Sequence, residues 1–165
     1  MSYTKVDQLQ NTKTKKRKKN SPRKILENKL DTLSAKLCRM QGYCTICGKK
    51  DGVLNAHHFK SRVYKGVRWY LPNLICLCVH HHTFDFKFSA HKIPEAFKTR
   101  MIELKGQEWF DDIEKRAVEH TSWKSGELEQ LLTTYQEKIK AIEWGQRNPH
   151  ELKEMKADLE KSMDW

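Results

Sequence analysis

Residues 73–85 read N-L-I-C-L-C-V-H-H-H-T-F-D. Two cysteines one residue apart lead into three consecutive histidines, a density of metal-seeking side chains that needs partners elsewhere in the chain. The apolar run over 71–77 predicts a short strand, and a short helix is expected to begin near Cys78. From the first turn of a helix, Cys78 and His81 can point at one metal. They supply half of a tetrahedral site, and Cys44-x-x-Cys47, in the tight turn C-T-I-C-G, supplies the other half. Zinc accepts thiolate and imidazole alike, and Cys₃His is a common structural closure. Cys38 and Cys76 sit in apolar patterns and read as core thiols.

Outward from this pair of motifs the chain divides readily. Residues 1–20 are polar, basic and poor in apolar anchors, which predicts disorder. Ser21 then serves as an N-cap with Pro22 at the first helical position, and Leu26, Leu30, Leu33, Leu37 and Met40 recur at helical spacing as far as Gly42. Residues 53–59 read as a strand, and 60–70 as a basic loop holding Tyr64, Trp69 and Tyr70. After Pro94 the pattern is helical throughout. Phe97, Met101 and Leu104 form one face, and Trp109, Phe110, Ile113 and Ala117 a second after Gly106. Leu128, Leu131, Leu132, Tyr135, Ile139 and Ile142 form a third, and Leu152, Met155 and Leu159 a fourth beyond Pro149. The expected class is α+β, mostly α. It comprises a disordered tail (1–20), an N-terminal helix (21–42), a zinc-braced hairpin-helix unit (43–92) and a helical C-terminal region (93–165).

The chain of 165 residues suffices for one domain with extensions. It shows no apolar run long enough to span a bilayer and no secretory h-region, so a soluble protein of the reducing cytoplasm is expected, without membrane partners. Five cysteines, an odd number, then suit metal ligation better than disulfides. The net charge of +11 is uneven: residues 1–24 carry +8 and residues 57–70 carry +4. Basic charge confined to a tail and one loop points to a polyanion.

Between the two halves of the zinc motif lies L-N-A-H-H-F, with His57 and His58, and then Asn73. A His-His pair ending one strand, an Asn before the next, and a His opening the helix resemble the ββα-metal (HNH) nuclease motif. That resemblance implies that His58 is the general base, that His57 and His82 hold a catalytic divalent ion, and that Asn73 braces the hairpin. The residue types suit phosphodiester hydrolysis. A neutral imidazole can take a proton from water near neutral pH, and a cation neutralises the departing 3′ oxygen. His80 reads as solvent-facing. His91 reads as a surface histidine, with a third ligand as the alternative.

From about residue 36 to residue 143 the chain resembles the phage recombination endonucleases of the NinG (Rap) family. The likeness lies in C-T-I-C-G, in A-H-H-F where the family has Ala-Gly-His-Tyr, and in N-L-I-C-L-C-V-H-H-H where it has an Asn strand leading to Cys-x-x-Cys-Asn. It continues with Trp123, a Glu-rich turn and Tyr135-Gln136-x-Lys138 in the same order. The resemblance implies a structure-selective endonuclease acting on branched, Holliday-junction-type DNA in the bacterial host cytoplasm. His57, His81 and His82 replace a Gly, a Cys and an Asn of the family. The expected ions are a structural Zn²⁺ and a catalytic Mg²⁺ or Mn²⁺, with two imidazoles favouring transition metals.

Lys60, Arg62, Lys65 and Arg68 are placed to clamp phosphates, with Trp69 or Tyr70 to stack on an exposed base. The tail cations Lys15, Lys16, Arg17, Lys18 and Lys19 would add salt-sensitive affinity. The stripe over 128–142 suits either internal packing or a homodimer. Two other readings stand beside this one. The first is an HNH nuclease of homing, restriction or packaging type. The second is a zinc-knuckle DNA-binding protein without catalysis, which would have no need of His57, His58 and His82 together.

Overall fold

The computed structural model describes residues 20–119 and 122–155. It is mostly helical, with one two-stranded antiparallel sheet. The first helix, α1, covers Pro22–Arg39. Its start matches the sequence signal: the Ser21 hydroxyl accepts the Lys24 N–H, and Pro22 opens the helix where its missing N–H costs nothing. Beyond the Met40 cap, Gly42 takes a φ of 78°, in the left-handed region that glycine enters without strain.

Strand β1, Leu54–His58, pairs with β2, Leu74–Cys78, in the register Leu54↔Cys78 to His58↔Leu74. Every residue of β2 is buried, because it is covered on both faces. Leu74 and Cys76 meet Cys38 of α1, while Ile75 and Leu77 join a cluster with Phe97 and Met101. The core assignment of Cys38 and Cys76 is thereby met, and burial pushes the Cys38 thiol up to about 12. The second strand starts later than expected. Residues Leu71–Asn73 form a single tight turn closed by the Leu74 N–H on the Leu71 carbonyl.

The helix expected near Cys78 is one wide turn, His80–Phe84, in which the Asp85 N–H returns to the His80 carbonyl. Such i→i+5 turns recur at functional sites. Next come α2, Pro94–Lys105, and α3, Gln107–Glu119, hinged at Gly106 with φ 92°. Helix α4, Ser125–Arg147, packs along α1, its Leu128 and Tyr135 in one cluster with Leu30 and Trp69. Lys36 of α1 pairs with Glu143 of α4 at 2.6 Å. The 128–142 stripe is therefore largely spent on α1. Residues 149–155 are helical, as the pattern beyond Pro149 predicts, and Leu152 sits against Gly145. Among the described residues, no helix is long and apolar enough to cross a membrane.

Candidate metal centres

Cys44, Cys47, Cys78 and His81 converge, with all four ligand atoms within 4.8 Å of one another. The C-T-I-C-G turn is fastened to the sheet by the Thr45 N–H on the Cys76 carbonyl, which brings Cys44 under the end of β2. His81 Nδ1 lies 3.3 Å from Cys78 Sγ and 3.7 Å from Cys44 Sγ. A tetrahedral zinc with bonds of about 2.3 Å to sulfur and 2.0–2.1 Å to nitrogen needs S···N edges of about 3.6 Å. The group can hold a metal such as zinc. Burial pushes the Cys44 thiol up, but backbone N–H groups of Cys78, Cys47 and Ile46 aimed at its sulfur outweigh that and hold it below the usual thiol range. On the far side of the ring, His81 Nε2 faces Asp85 Oδ2 at 3.8 Å, the outer carboxylate that commonly orients a metal-binding imidazole.

A second group forms from His57, His82 and His91, again with ligand atoms within 4.8 Å. Successive strand residues point to opposite faces. His57 therefore turns towards α2, edge-on to Phe97 at 5.3 Å. His82 comes from the wide turn and His91 from the loop before α2, with their Nε2 atoms 3.2 Å apart. Neighbouring imidazole ligands on one ion, with bonds of about 2.0–2.1 Å, lie about 3.0–3.4 Å apart, so this donor set fits a divalent ion. Burial, then the neighbouring His82, His91 and His58, pull the His57 pKa down to about 3. Burial and His91 lower that of His82 as well. Both rings are therefore neutral near pH 7, the form that ligates a metal. His82 Nδ1 is 3.3 Å from the Thr83 hydroxyl, which leaves Nε2 as the ligating atom.

His58 lies beside this triad in an open cleft also lined by Phe59, Ser61 and Arg62. Its Nε2 is 2.9 Å from the Arg68 carbonyl oxygen, an atom that can only accept, so Nε2 carries the proton and Nδ1 the lone pair. Burial lowers the His58 pKa, only partly offset by that hydrogen bond. Asn73 is fully buried and makes three hydrogen bonds to the 60–67 loop. Its amide donates to the Lys60 and Val67 carbonyls, and its oxygen accepts the Lys60 N–H at 2.7 Å. These bonds tie Asn73, just before β2, to the loop that leaves β1.

The loop itself corrects the expected DNA surface. Arg68 is buried and forks onto Asp31 of α1 at 2.9 and 2.6 Å, with Glu27 at 3.4 Å. Trp69 is also buried, its indole N–H donating to Asp31. Two acids on α1 claimed side chains that charge and aromaticity alone had assigned to DNA. Tyr70 is half-buried, with its hydroxyl on Asp112. Lys60 is held by both oxygens of Glu114 at 2.6 and 2.8 Å, and Lys65 is half-buried. Of the four loop cations, Arg62 faces the cleft. Lys15, Lys16, Arg17, Lys18 and Lys19 lie outside the described residues.

His91 is a ligand candidate rather than a plain surface histidine. The signal lay between it and His82, in F-D-F-K-F-S. Asp85 accepts the Phe88 N–H and Ser89 bonds the His82 carbonyl, so the chain doubles back and returns His91 to the cleft. No family model, no curated protein and no solved structure matches the chain.

Proposed function

We propose that this protein is a divalent-metal-dependent DNA endonuclease, with His58 as its general base. The observation that carries the reading is His58 itself: an imidazole fixed by the Arg68 carbonyl, lining the same cleft as three histidines suited to an ion. A histidine kept neutral by burial can accept a proton from a water at neutral pH, and its fixed tautomer presents Nδ1 without reorientation. Arg62 on the cleft wall is placed to meet a phosphate. A divalent ion bound by His57, His82 and His91 would supply the charge that polarises the phosphate and neutralises the departing 3′ oxygen. Three imidazoles favour Mn²⁺, Co²⁺, Ni²⁺ or Zn²⁺ over Mg²⁺, which prefers oxygen. In this reading the cysteine group holds a structural zinc that locks the C-T-I-C-G turn to the wide turn and so aims His82. The NinG resemblance adds branched recombination DNA as the substrate class.

The test is incubation of the purified protein with four-way junction, flap and linear duplex DNA, with Mn²⁺, Mg²⁺ or no added metal. Metal-dependent cutting is expected, stronger with Mn²⁺. Junction binding without cutting under any metal would leave the non-catalytic DNA-binding reading in its place.

A further inference from the structure

We infer that Phe84 and Phe86, on the loop that joins His82 to His91, form a stacking platform for unpaired nucleobases. The inference rests on the nuclease reading above and gives it a physical basis for preferring branched DNA. The segment between His82 and His91 is tightly fastened. Asp85 closes the wide turn through its N–H and accepts the Phe88 N–H at 2.8 Å. The fully buried Ser89 donates to the His82 carbonyl and accepts the Lys92 N–H, both at 3.3 Å, and the Ala90 N–H reaches the His81 carbonyl at 3.0 Å.

A loop so held nevertheless displays Phe84 and Phe86 at 55% and 78% exposure. One exposed apolar side chain needs no explanation. Two rings on a fastened loop, one of them beside a lysine cation, do. Lys92 Nζ lies 4.3 Å from the centre of the Phe86 ring, and Lys87 is exposed beside it. Aromatic faces flanked by lysines match the composition of a single-strand site, where bases stack on rings and cations follow the backbone. The neighbouring acid, Asp85, is turned inward, its carboxylate 3.4 Å from His80 Nε2 and 3.8 Å from His81 Nε2. Phe86 is four residues from His82, so it lies within roughly 14 Å of that ligand even fully extended. A continuous duplex keeps its base faces stacked inside, whereas a branch point offers one to a ring. Trp69 and Tyr70, whose rings were expected to do this, are committed to Asp31 and Asp112.

The experiment uses the full chain in a His58→Ala background, so that DNA survives without a chelator. Affinities are measured by fluorescence anisotropy for a flap with one 2-aminopurine at the branch, and for a continuous duplex of the same sequence. Phe84→Ala with Phe86→Ala should weaken flap binding about tenfold, the loss of roughly one stacked base, and leave duplex binding within about twofold. Phe86→Trp should quench the 2-aminopurine on binding while keeping flap affinity, and Phe86→Leu should neither quench it nor keep that affinity. Because both rings are exposed, thermal melts should be unchanged. Equal loss on both DNAs, no loss on the flap, or phenylalanine-dependent binding to phosphatidylglycerol vesicles without branch preference would each overturn the inference. The nuclease reading is judged separately, by whether the protein with His58 intact cuts DNA at all.

Discussion

His81 and His82 are neighbours in the chain, yet their imidazoles join groups of opposite character. His81 turns into a pocket of sulfur, where Cys44 is fully buried and Cys78 nearly so. Around a metal such as zinc, these four donors would complete a tetrahedron and leave no position for a reactant. His82 turns into an open cleft, which it lines together with His57, His58 and His91 and which solvent reaches. A closed sulfur-rich set suits holding a fold together, and an open nitrogen set suits chemistry. The wide turn His80–Phe84 is what makes the division, since it gives consecutive residues two different destinations.

The most severe way to break this contrast is at the cysteines. Cys78→Ser should abolish stoichiometric zinc and unfold the hairpin, because metal binding and folding are coupled by on the order of 10 kcal/mol in small zinc modules. Metal analysis with a thermal melt checks it. A stable, fully folded Cys78→Ser protein would remove the structural half of the contrast.

Arg68 ties the cleft side to α1, since its side chain is anchored on α1 while its carbonyl orients His58. Arg68→Ala should cost at most about 3–5 kcal/mol, because half-buried Asp31 and buried Glu27 lose the guanidinium between them while Asp31 keeps the Trp69 N–H and Glu27 keeps Arg23. Denaturant unfolding measures this. Burial pushes the Asp31 carboxyl up, but hydrogen bonds from Arg68 and Trp69 outweigh it, so its folded pKa lies below the unfolded value. Stability from the pair is therefore present above about pH 4 and lost as pH falls through the folded pKa. Unfolding followed between pH 6 and 2 should show that loss in wild type and not in Arg68→Ala.

On the other side of the contrast, His91→Ala should weaken Mn²⁺ activation at least about 10-fold while leaving zinc content and melting temperature unchanged. A Mn²⁺ titration of DNA cleavage reads it. The smallest effect should come from Lys36→Ala, which removes a largely exposed pair with Glu143 and should leave the melting temperature nearly unchanged.

The sequence announced the cysteine group well because its ligands come in two short repeats, C-x-x-C and C-x-x-H, whose spacing is local. The helices were legible for the same reason, through leucines at helical intervals. His91 was obscure because its approach to His82 depends on a turn built by Asp85 and Ser89, which no apolar period records. Arg68 and Trp69 misled because their partner, Asp31, lies 37 and 38 residues earlier on another element. A basic aromatic loop reads the same whether its cations face DNA or a buried carboxylate. Phe84 and Phe86 went unnoticed because exposure is a property of the folded loop, and the sequence alone makes them look like core.

The division of labour is tested most directly by junction cleavage with His58→Ala in Mn²⁺, alongside gel-shift affinity and zinc content of the same preparation. The account expects cleavage to fall by on the order of 10²–10⁴, with binding and zinc unchanged. Full cleavage by His58→Ala would contradict it.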